Sequence, residues 1–419
     1  MHVLKVLRIR HLAILWLSQV LSAMGDYLYE IAVMWIAVKV VGSGAGIVAA
    51  AEAGSMLVFG LLGGVYADRW NRRTVMICVD ILRAIAVVTL PVLALTGILQ
   101  LWHLVVVAVV VGSLGSLFNP ALQASLPALT GDTHILQATN SLMDVTRRLA
   151  RILGPSMAGI LIALLPLPHF FTLDAVSFAV SAIAVFAIGT RFAWRPVPAQ
   201  GVNKGLRGIL AEIKGAMLLL KQHKLLGWAL SMNGVSNLVW SAAFTVGVPL
   251  FTARVLASNV GAYGLIVSAY GVGNVISNLV VGSLTIRHRA AVICSGKIVL
   301  ASGFLVLAFA HTLALALLGA ALAAIGGPMV DIVIITMMQT DLPANQVGKV
   351  YSLSMIMESG GASLGLLLAV PLFAYLRVPI AIALCALVML LIGVVGLVRF
   401  GVSEPGASMV LDEQHDMVS

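Results

Sequence analysis

The chain has 419 residues, of which 61 % are hydrophobic and 10 % are charged. Soluble domains contain roughly 45–50 % apolar and about 25 % charged residues, and a soluble core could not bury this much apolar surface. The composition therefore excludes a soluble protein and predicts an integral membrane protein. The formal net charge of +9 does not indicate nucleic-acid binding, because no basic domain lies outside the apolar segments.

Twelve segments are long and apolar enough to cross a bilayer as helices, which takes about 20 residues. They lie at residues 12–38, 43–67, 74–97, 101–126, 138–165, 169–190, 225–252, 259–286, 290–310, 313–337, 346–370 and 376–400. The predicted fold is an all-α membrane protein with two six-helix bundles. The predicted divisions are an N-terminal bundle at 1–190, a cytoplasmic linker with an amphipathic helix at 191–224, a C-terminal bundle at 225–400 and an acidic cytoplasmic tail at 401–419.

Basic residues in the loops predict the orientation. With the N-terminus inside, seventeen Lys and Arg residues lie in cytoplasmic segments and three lie in outer loops. Because basic residues are enriched in cytoplasmic loops, both termini are predicted to face the cytoplasm from a multi-pass protein of the inner membrane. The cysteines, Cys78, Cys294 and Cys385, lie in apolar segments without metal-ligand spacing and are predicted to be buried packing residues.

Acidic residues mark the first two spans. Asp26 and Glu30 lie one helical turn apart in span one, and Glu52 lies at a similar depth in the antiparallel span two. An acid in hydrocarbon costs roughly 2.5–3.5 kcal/mol on insertion scales, so each one is a functional candidate. Burial and mutual repulsion would let these carboxylates hold a proton near neutral pH. We expect them to supply a proton-coupling site or a contact for a cation; structural acids, or acids in a wet outer vestibule, are the alternative.

A glycine-acid-arginine motif stands between spans two and three. It occupies residues 64–73, GVYADRWNRR. Gly64 permits close helix approach, while Asp68 can cap a helix or pair with an arginine. The corresponding second-half segment at residues 282–289, GSLTIRHR, lacks the acid.

Helical spacing extends this motif into a predicted gate-locking network. Asp80 with Arg83 and Asp144 with Arg147 and Arg148 have i,i+3 or i,i+4 spacing, near the predicted inner ends of spans three and five. The network as a whole comprises Gly64, Asp68, Arg69, Arg72, Arg73, Asp80, Arg83, Asp144, Arg147, Arg148 and Arg151.

These motifs resemble the major facilitator superfamily. The loop at 64–73 is similar to its loop signature, with Asn71 in place of the usual glycine, and Gly154, Pro155 and Gly159 resemble its antiporter signature. Span one and the turn at 118–120 are similar to the drug–proton antiporter branch that contains macrolide and enterobactin exporters. The resemblance implies a major facilitator fold, export, and an inner gate locked by the loop, which the missing second-half acid would make asymmetric.

The two halves also repeat each other. The stretch from Gly115 through Asn119 to Pro127 parallels that from Gly327 through Asp331 to Pro343, and other matches share a spacing of about 212–218 residues. Such repeats place a substrate path at the bundle interface near the membrane midplane.

Further candidates follow from residues inside the spans. Asp331, Glu358 and Asn119 join the proton-coupling or substrate-binding set, and Glu358 has no obvious cation nearby in the sequence. Aromatic residues that could line an apolar cavity are Tyr27, Tyr29, Trp240 and Tyr270.

The function predicted is secondary active transport. No phosphate-binding loop, nucleophile signature or metal-ligand pair indicates an enzyme, a cofactor or a metal. We expect a proton-coupled exporter of amphipathic or cationic small molecules, acting as a monomer in the lipid bilayer by alternating access. The alternatives are a dedicated siderophore exporter, a lysophospholipid flippase, or a non-transporting scaffold or channel.

Overall fold

The structure is a computed structural model that describes residues 6–66, 71–131, 164–189, 217–284 and 286–400, with short pieces between 135 and 161 and at 214–215. Every regular element in these ranges is a helix. The helices are α1 (Arg10–Val41), α2 (Ala45–Tyr66), α3 (Arg72–Leu95), α4 (Leu101–Thr130), α5 (Pro168–Ile188), α6 (Lys224–Ser241), α7 (Val248–Arg254), α8 (Val260–Ser283), α9 (Arg289–Ala308), α10 (Leu313–Thr340), α11 (Ala344–Tyr375) and α12 (Val378–Phe400). A π-helical segment, Ala242–Gly247, joins α6 to α7 into one span.

The described helices match the predicted spans closely. Ten stretches of the described residues are long and apolar enough to cross a membrane. The first of them, Arg10–Gly60, holds both α1 and most of α2, so eleven of the twelve predicted spans are accounted for, with boundaries within five residues. Most of the fifth predicted span, most of the linker and the tail at 401–419 lie outside the described residues.

Lipid-facing and protein-facing surfaces separate on each helix. On α3, Leu82 and Ile85 are exposed on the outside of the bundle, whereas Val79 and Val87 are buried. Cys294 and Cys385 are buried as predicted, but the prediction for Cys78 was wrong: it is exposed on α3. Helical period alone does not tell a lipid-facing apolar residue from a core residue, because both faces of a membrane helix are apolar.

Close packing of α6 against α11 sets the geometry of the C-terminal half. Gly361 and Gly365, one turn apart on α11, face the backbone of α6, where an added Cβ would meet carbonyl oxygens. Ser241 Oγ of α6 also donates to the carbonyl of Ala362 at 2.9 Å. Small residues that let membrane helices approach closely fix their relative position. The side chains at the same level of α6 and α11 are therefore held in register.

The two halves meet at one end of the molecule. Where α1 ends and α8 begins, Trp35 stacks on Tyr263 with ring centroids 5.8 Å apart, and both rings are buried. One hydrophobic core joins the halves at this level. Toward the other end, the described residues form two separate cores, one around Leu15 and Met76 and one around Leu226 and Met337. The structure is therefore closed at the end where α1 finishes, which the basic loops predict to be the outer end.

Candidate coupling and substrate site

Arg83 is the cation at the centre of the N-terminal half. It is the twelfth of the 24 residues of α3, and its side chain is 12 % exposed. Its Nη2 lies 3.4 Å from Asp26 Oδ1 on α1, and its guanidinium lies 4.1 Å from the ring centroid of Phe178 on α5. Arg83 therefore links three helices through an ion pair and a cation–π contact.

Several carboxylates surround this one guanidinium. Besides Asp26, the side chains of Glu52, Asp80 and Asp174 lie within electrostatic reach of Arg83. Asp80 and Asp174 are 1 % and 0 % exposed. One oxygen of each, Oδ2, is buried without a hydrogen-bond donor. Among the described residues, the cluster thus carries four carboxyl groups for one cation, and two buried oxygens lack the partner that an ionised group requires.

Glycines hold these acids in place. An added Cβ at Gly25 of α1 would lie 2.6 Å from Asp174 Oδ1 on α5. At Gly112 of α4, a Cβ would lie 2.5 Å from the backbone oxygen of Glu52 on α2. Contacts this short leave no room for a side chain, so α1 and α5, and α2 and α4, are in direct backbone contact beside the acids.

Two further predicted residues lie at the edge of the cluster. Glu30 is exposed, and it lies within electrostatic reach of Glu52 and of Tyr263 of the other half. Tyr29 was predicted to line a cavity, but it is 3 % exposed and packs edge-on against Phe171, with ring centroids 6.0 Å apart. Its hydroxyl is buried without a hydrogen-bond partner, near Glu52 and Asp174.

The structure corrects the predicted place of Arg83. The sequence grouped it with Asp80 near the inner end of the span, whereas the structure sets it at mid-span in an ion pair with Asp26. Asp80 instead lies beside Ser181 of α5. Sequence spacing could not find this arrangement, because it reports neighbours on one helix and not contacts between helices. The remaining predicted residues of span five, which are Asp144, Arg147, Arg148, Arg151, Gly154, Pro155 and Gly159, lie outside the described residues.

The C-terminal half has its own buried cation, Lys297 on α9, which is 4 % exposed. Its Nζ donates to Asn233 Oδ1 at 2.8 Å, and Asn233 Nδ2 donates to Glu358 Oε1 at 3.1 Å. Asp331 and Glu358 both lie within electrostatic reach of Lys297. Glu358 has no cation nearby in the sequence, and the structure brings Lys297 to it from another helix.

Lys297 is the main site residue that sequence reasoning missed. Of the 25 Lys and Arg residues, 20 lie in loops or at span ends, and Lys297 is one of the five inside spans. It also stands 214 positions after Arg83, within the spacing of the internal repeat. Either signal could have found it.

Predicted aromatic residues form a cluster in the C-terminal half. Trp240 Nε1 donates to the Tyr270 hydroxyl at 3.0 Å. The ring centroids of Phe244 and Tyr270 are 4.4 Å apart. All three side chains are half-buried, as is Tyr27 of the other half.

The polar candidates Asn119 on α4 and Asp331 on α10 occupy equivalent places in the repeat, and both are exposed.

The predicted gate residues at the inner ends are partly described. Asn71 accepts hydrogen bonds from the backbone N–H groups of Arg73 and Thr74, and so caps α3. Arg72 donates to the carbonyl of Ala124 on α4, and Arg73 donates to that of Phe186 on α5 at 2.9 Å. Gly64 lies in α2, whereas Asp68 and Arg69 lie outside the described residues.

In the second half, an arginine at the inner end pairs with an acid that follows another helix. Arg289 Nη1 donates to both oxygens of Asp341, the residue that follows α10, at 2.7 and 2.9 Å. Arg72 and Ala124 are each 217 positions before Arg289 and Asp341. The two contacts are therefore equivalent in the repeat, and only the second is an ion pair.

A family model described as "Transmembrane secretion effector", of the MFS group, matches residues 3–415. The chain belongs to this family of the major facilitator superfamily. It is 28 % identical to the multidrug efflux pump Tap of Mycolicibacterium fortuitum over 380 residues, which cover 88 % of this chain and 91 % of that one. It is 30 % identical to the uncharacterized MFS-type transporter YfiS of Bacillus subtilis (strain 168) over 214 residues, about half of each protein.

Solved structures agree on the fold. A POT family transporter in complex with a thioalcohol-conjugated peptide has a TM-score of 0.68 at 13 % identity, over 93 % of this chain and 96 % of that one. The resemblance to an efflux branch of the superfamily and the all-α membrane fold are thereby confirmed. The chain is a multi-pass membrane transporter of small molecules, not an enzyme.

Proposed function

We propose that this transporter is a proton-coupled exporter of amphipathic or cationic organic molecules. The observation that carries the proposal is the cluster around Arg83, where, within the part of the chain that the structure describes, four carboxyl groups share one guanidinium and two buried oxygens lack donors. Acids inside a membrane protein commonly form proton relays, and a cluster with this excess of carboxyl groups is neutralised by taking up protons. The similarity to the efflux pump Tap supports export of drug-like molecules.

Competition between protons and substrate would couple their movements. Asp26 is 48 % exposed while paired with Arg83, and Glu30 is exposed beside it. A cationic substrate reaching these groups would favour their ionised forms, whereas protonation would weaken its binding. Each ligand then favours a different arrangement of the two bundles, as alternating access requires.

The closed outer end fits one state of that cycle. With both termini in the cytoplasm, as the loop charges predict, the Trp35–Tyr263 stack seals the outer side. In this state substrate would enter from the cytoplasm, and opening would separate α1 from α8. The Arg83 cluster lies toward the inner side of this seal, since Arg83 is at mid-span.

The test is gradient-driven transport by everted membrane vesicles. Vesicles with an acidic interior should accumulate tetraphenylphosphonium, and nigericin, which collapses the pH gradient, should abolish the accumulation. Glu52→Gln should reduce gradient-driven accumulation by at least about tenfold. Asp341→Asn is the matched control, because this acid lies at a helix end and pairs with Arg289 away from the cluster. Accumulation unaffected by nigericin would overturn the proposed coupling.

The same vesicles test the alternative substrates. Transport of a catechol siderophore or a lysophospholipid, with none of tetraphenylphosphonium, would replace the proposed substrate class. A scaffold would transport none of the three.

A further inference from the structure

A hydroxyl group is buried between α1 and α5 in the N-terminal half. Tyr29 of α1 is 3 % exposed, and its hydroxyl oxygen has no hydrogen-bond partner among the described residues. Its ring packs edge-on against Phe171 of α5, with ring centroids 6.0 Å apart. A phenol can donate and accept a hydrogen bond, and leaving such a group unpaired in a protein interior is costly. Ring packing therefore accounts for an aromatic residue at this position but not for its hydroxyl.

Asp174 of α5 is a second buried polar group at the same helix contact. It is 0 % exposed, and Ser177 Oγ donates to its Oδ1 at 3.4 Å. Its Oδ2 is buried and has no donor within the described part of the chain. In this arrangement of the helices solvent does not reach the carboxyl group, so a proton that binds to it or leaves it must pass through a neighbouring side chain.

The two helices run antiparallel, which turns these two groups toward each other. Gln19 Nε2 of α1 donates to Ser181 Oγ of α5 at 3.2 Å. Ten residues further along α1, Tyr29 meets Phe171, which lies ten residues back along α5. Side chains on a helix lean toward its N-terminus. The side chain of Tyr29 therefore leans toward the level of Asp174, and that of Asp174 leans toward the level of Tyr29.

Glu52 of α2 connects this contact to the rest of the cluster. Among the described residues, the charged groups within electrostatic reach of the Tyr29 hydroxyl are Glu52, Asp174, Arg83 and Asp26. Glu52 is half-buried, whereas Asp174 is fully buried. The hydroxyl thus lies near one acid that solvent partly reaches and one acid that solvent does not reach.

We infer that Tyr29 is a proton-transfer residue between Glu52 and Asp174, and that Asp174 is a buried proton-binding site. The Glu52 carboxyl group gives its proton to a lone pair of the phenol oxygen, while the phenol O–H proton passes to Asp174 Oδ2. The phenol is neutral before and after the step, and rotation of its hydroxyl restores the starting position. One proton has then moved from Glu52 to Asp174, and the reverse step releases it. The inference rests on the proposed proton coupling and adds the path that the proton takes.

Tyr29→Phe tests the inference, because it keeps the ring packed on Phe171 and removes only the hydroxyl. Two measurements are compared in the same everted vesicles. Accumulation of tetraphenylphosphonium driven by an acidic interior requires proton movement, whereas exchange of labelled for unlabelled tetraphenylphosphonium at equal pH on both sides does not. We expect the rate of gradient-driven accumulation to fall at least about tenfold, and exchange to stay at the wild-type rate. Tyr375→Phe is the control, because this tyrosine is 88 % exposed at the end of α11.

Asp174→Asn is an independent variant at the other end of the same step. It should also lose gradient-driven accumulation and retain exchange. In the double variant Tyr29→Phe/Asp174→Asn, the loss should be no larger than that of the more severe single variant, because both residues act in one step. Losses that multiply would overturn the shared path. Gradient-driven accumulation at the wild-type rate in Tyr29→Phe would overturn the inference, and so would a loss of exchange together with accumulation. If one of the two single variants does not fold, the same comparison of accumulation with exchange in the other decides.

Nigericin distinguishes failure of this inference from failure of the proposed coupling. Wild-type accumulation that resists nigericin would overturn proton coupling, and the inference with it. Wild-type accumulation that nigericin abolishes, together with full accumulation by Tyr29→Phe, would overturn the role of Tyr29 alone.

Discussion

Arg83 in α3 and Lys297 in α9 stand 214 positions apart, and each is a cation inside a span that faces carboxylates from neighbouring helices. Arg83 contacts Asp26 directly and has three more acids in reach, whereas Lys297 reaches Glu358 through an amide and has two acids in reach. A repeated scaffold has thus kept the cation in each half and changed the number of acids around it.

Removing the cation of the first half should have the largest effect. Arg83→Met removes the cation that lies within electrostatic reach of the buried carboxyl groups of Asp80 and Asp174. We expect it to abolish gradient-driven accumulation of tetraphenylphosphonium in everted vesicles and to lower the thermal midpoint of the protein in detergent. Arg83→Lys, which keeps the charge, should retain part of the accumulation and part of the thermal stability. Coupled transport at the wild-type rate by Arg83→Met would contradict a role for the cluster in proton exchange.

Helix packing beside the acids provides a second comparison between the halves. A Cβ at Gly25 would lie 2.5 Å from Ser177 Oγ and 2.6 Å from Asp174 Oδ1, while one at Gly234 in α6 would lie 3.2 Å from the nearest atom. Overpacking typically costs about 1–3 kcal/mol, so Gly25→Ala should lower the thermal midpoint more than Gly234→Ala does. Gly54→Ala is the control, because its added methyl meets open space. Equal midpoints for Gly25→Ala and Gly54→Ala would show that the α1–α5 contact is looser than the structure indicates.

The N-terminal caps of α3 and α9 provide a third comparison between the halves. Asn71 accepts two hydrogen bonds from the first turn of α3, whereas His288, 217 positions later, makes no side-chain cap to α9. Replacing an Asn cap by Ala costs about 1 kcal/mol, and by Gly only a few tenths. Asn71→Ala should therefore lower the thermal midpoint slightly, and Asn71→Gly and His288→Ala should change it less. A larger loss for His288→Ala would reverse the comparison.

The smallest effect is expected at the inner end of the second half. Arg289 and Asp341 are 33 % and 30 % exposed in their ion pair, and such pairs contribute about 0.2–1 kcal/mol. A double-mutant cycle with Arg289→Ala and Asp341→Asn should give a coupling energy in that range from thermal midpoints. Arg72→Ala, at the equivalent place, removes a neutral carbonyl contact and serves for comparison. A coupling above that range would mean that the pair is shielded from solvent in the native protein.

Sequence reasoning succeeded where the signal lies along one chain segment. Span boundaries follow from local hydropathy, and the eleven described spans end within five residues of their predicted places. Acids inside spans were equally visible, so Asp26, Glu52 and Glu358 were found as candidates. Asp174 also lies inside a predicted span, but the sequence could not show that it faces Gly25 of α1 and lies within electrostatic reach of Arg83 of α3.

Composition and long apolar segments by themselves determined that this chain is a helical membrane protein, because a bilayer requires apolar helices whatever their arrangement. The repeated motifs added that its two halves are related. Tertiary structure alone decided which cation meets which acid. Arg83 pairs with a residue 57 positions away rather than with Asp80 on its own helix, and Lys297 reaches Glu358 through Asn233, 64 positions before it. The physical reason is that a charged side chain in a membrane protein pairs with the group that lies nearest to it across a helix contact. Glycines set how closely the helices approach, and the order of the residues along the chain does not give these distances.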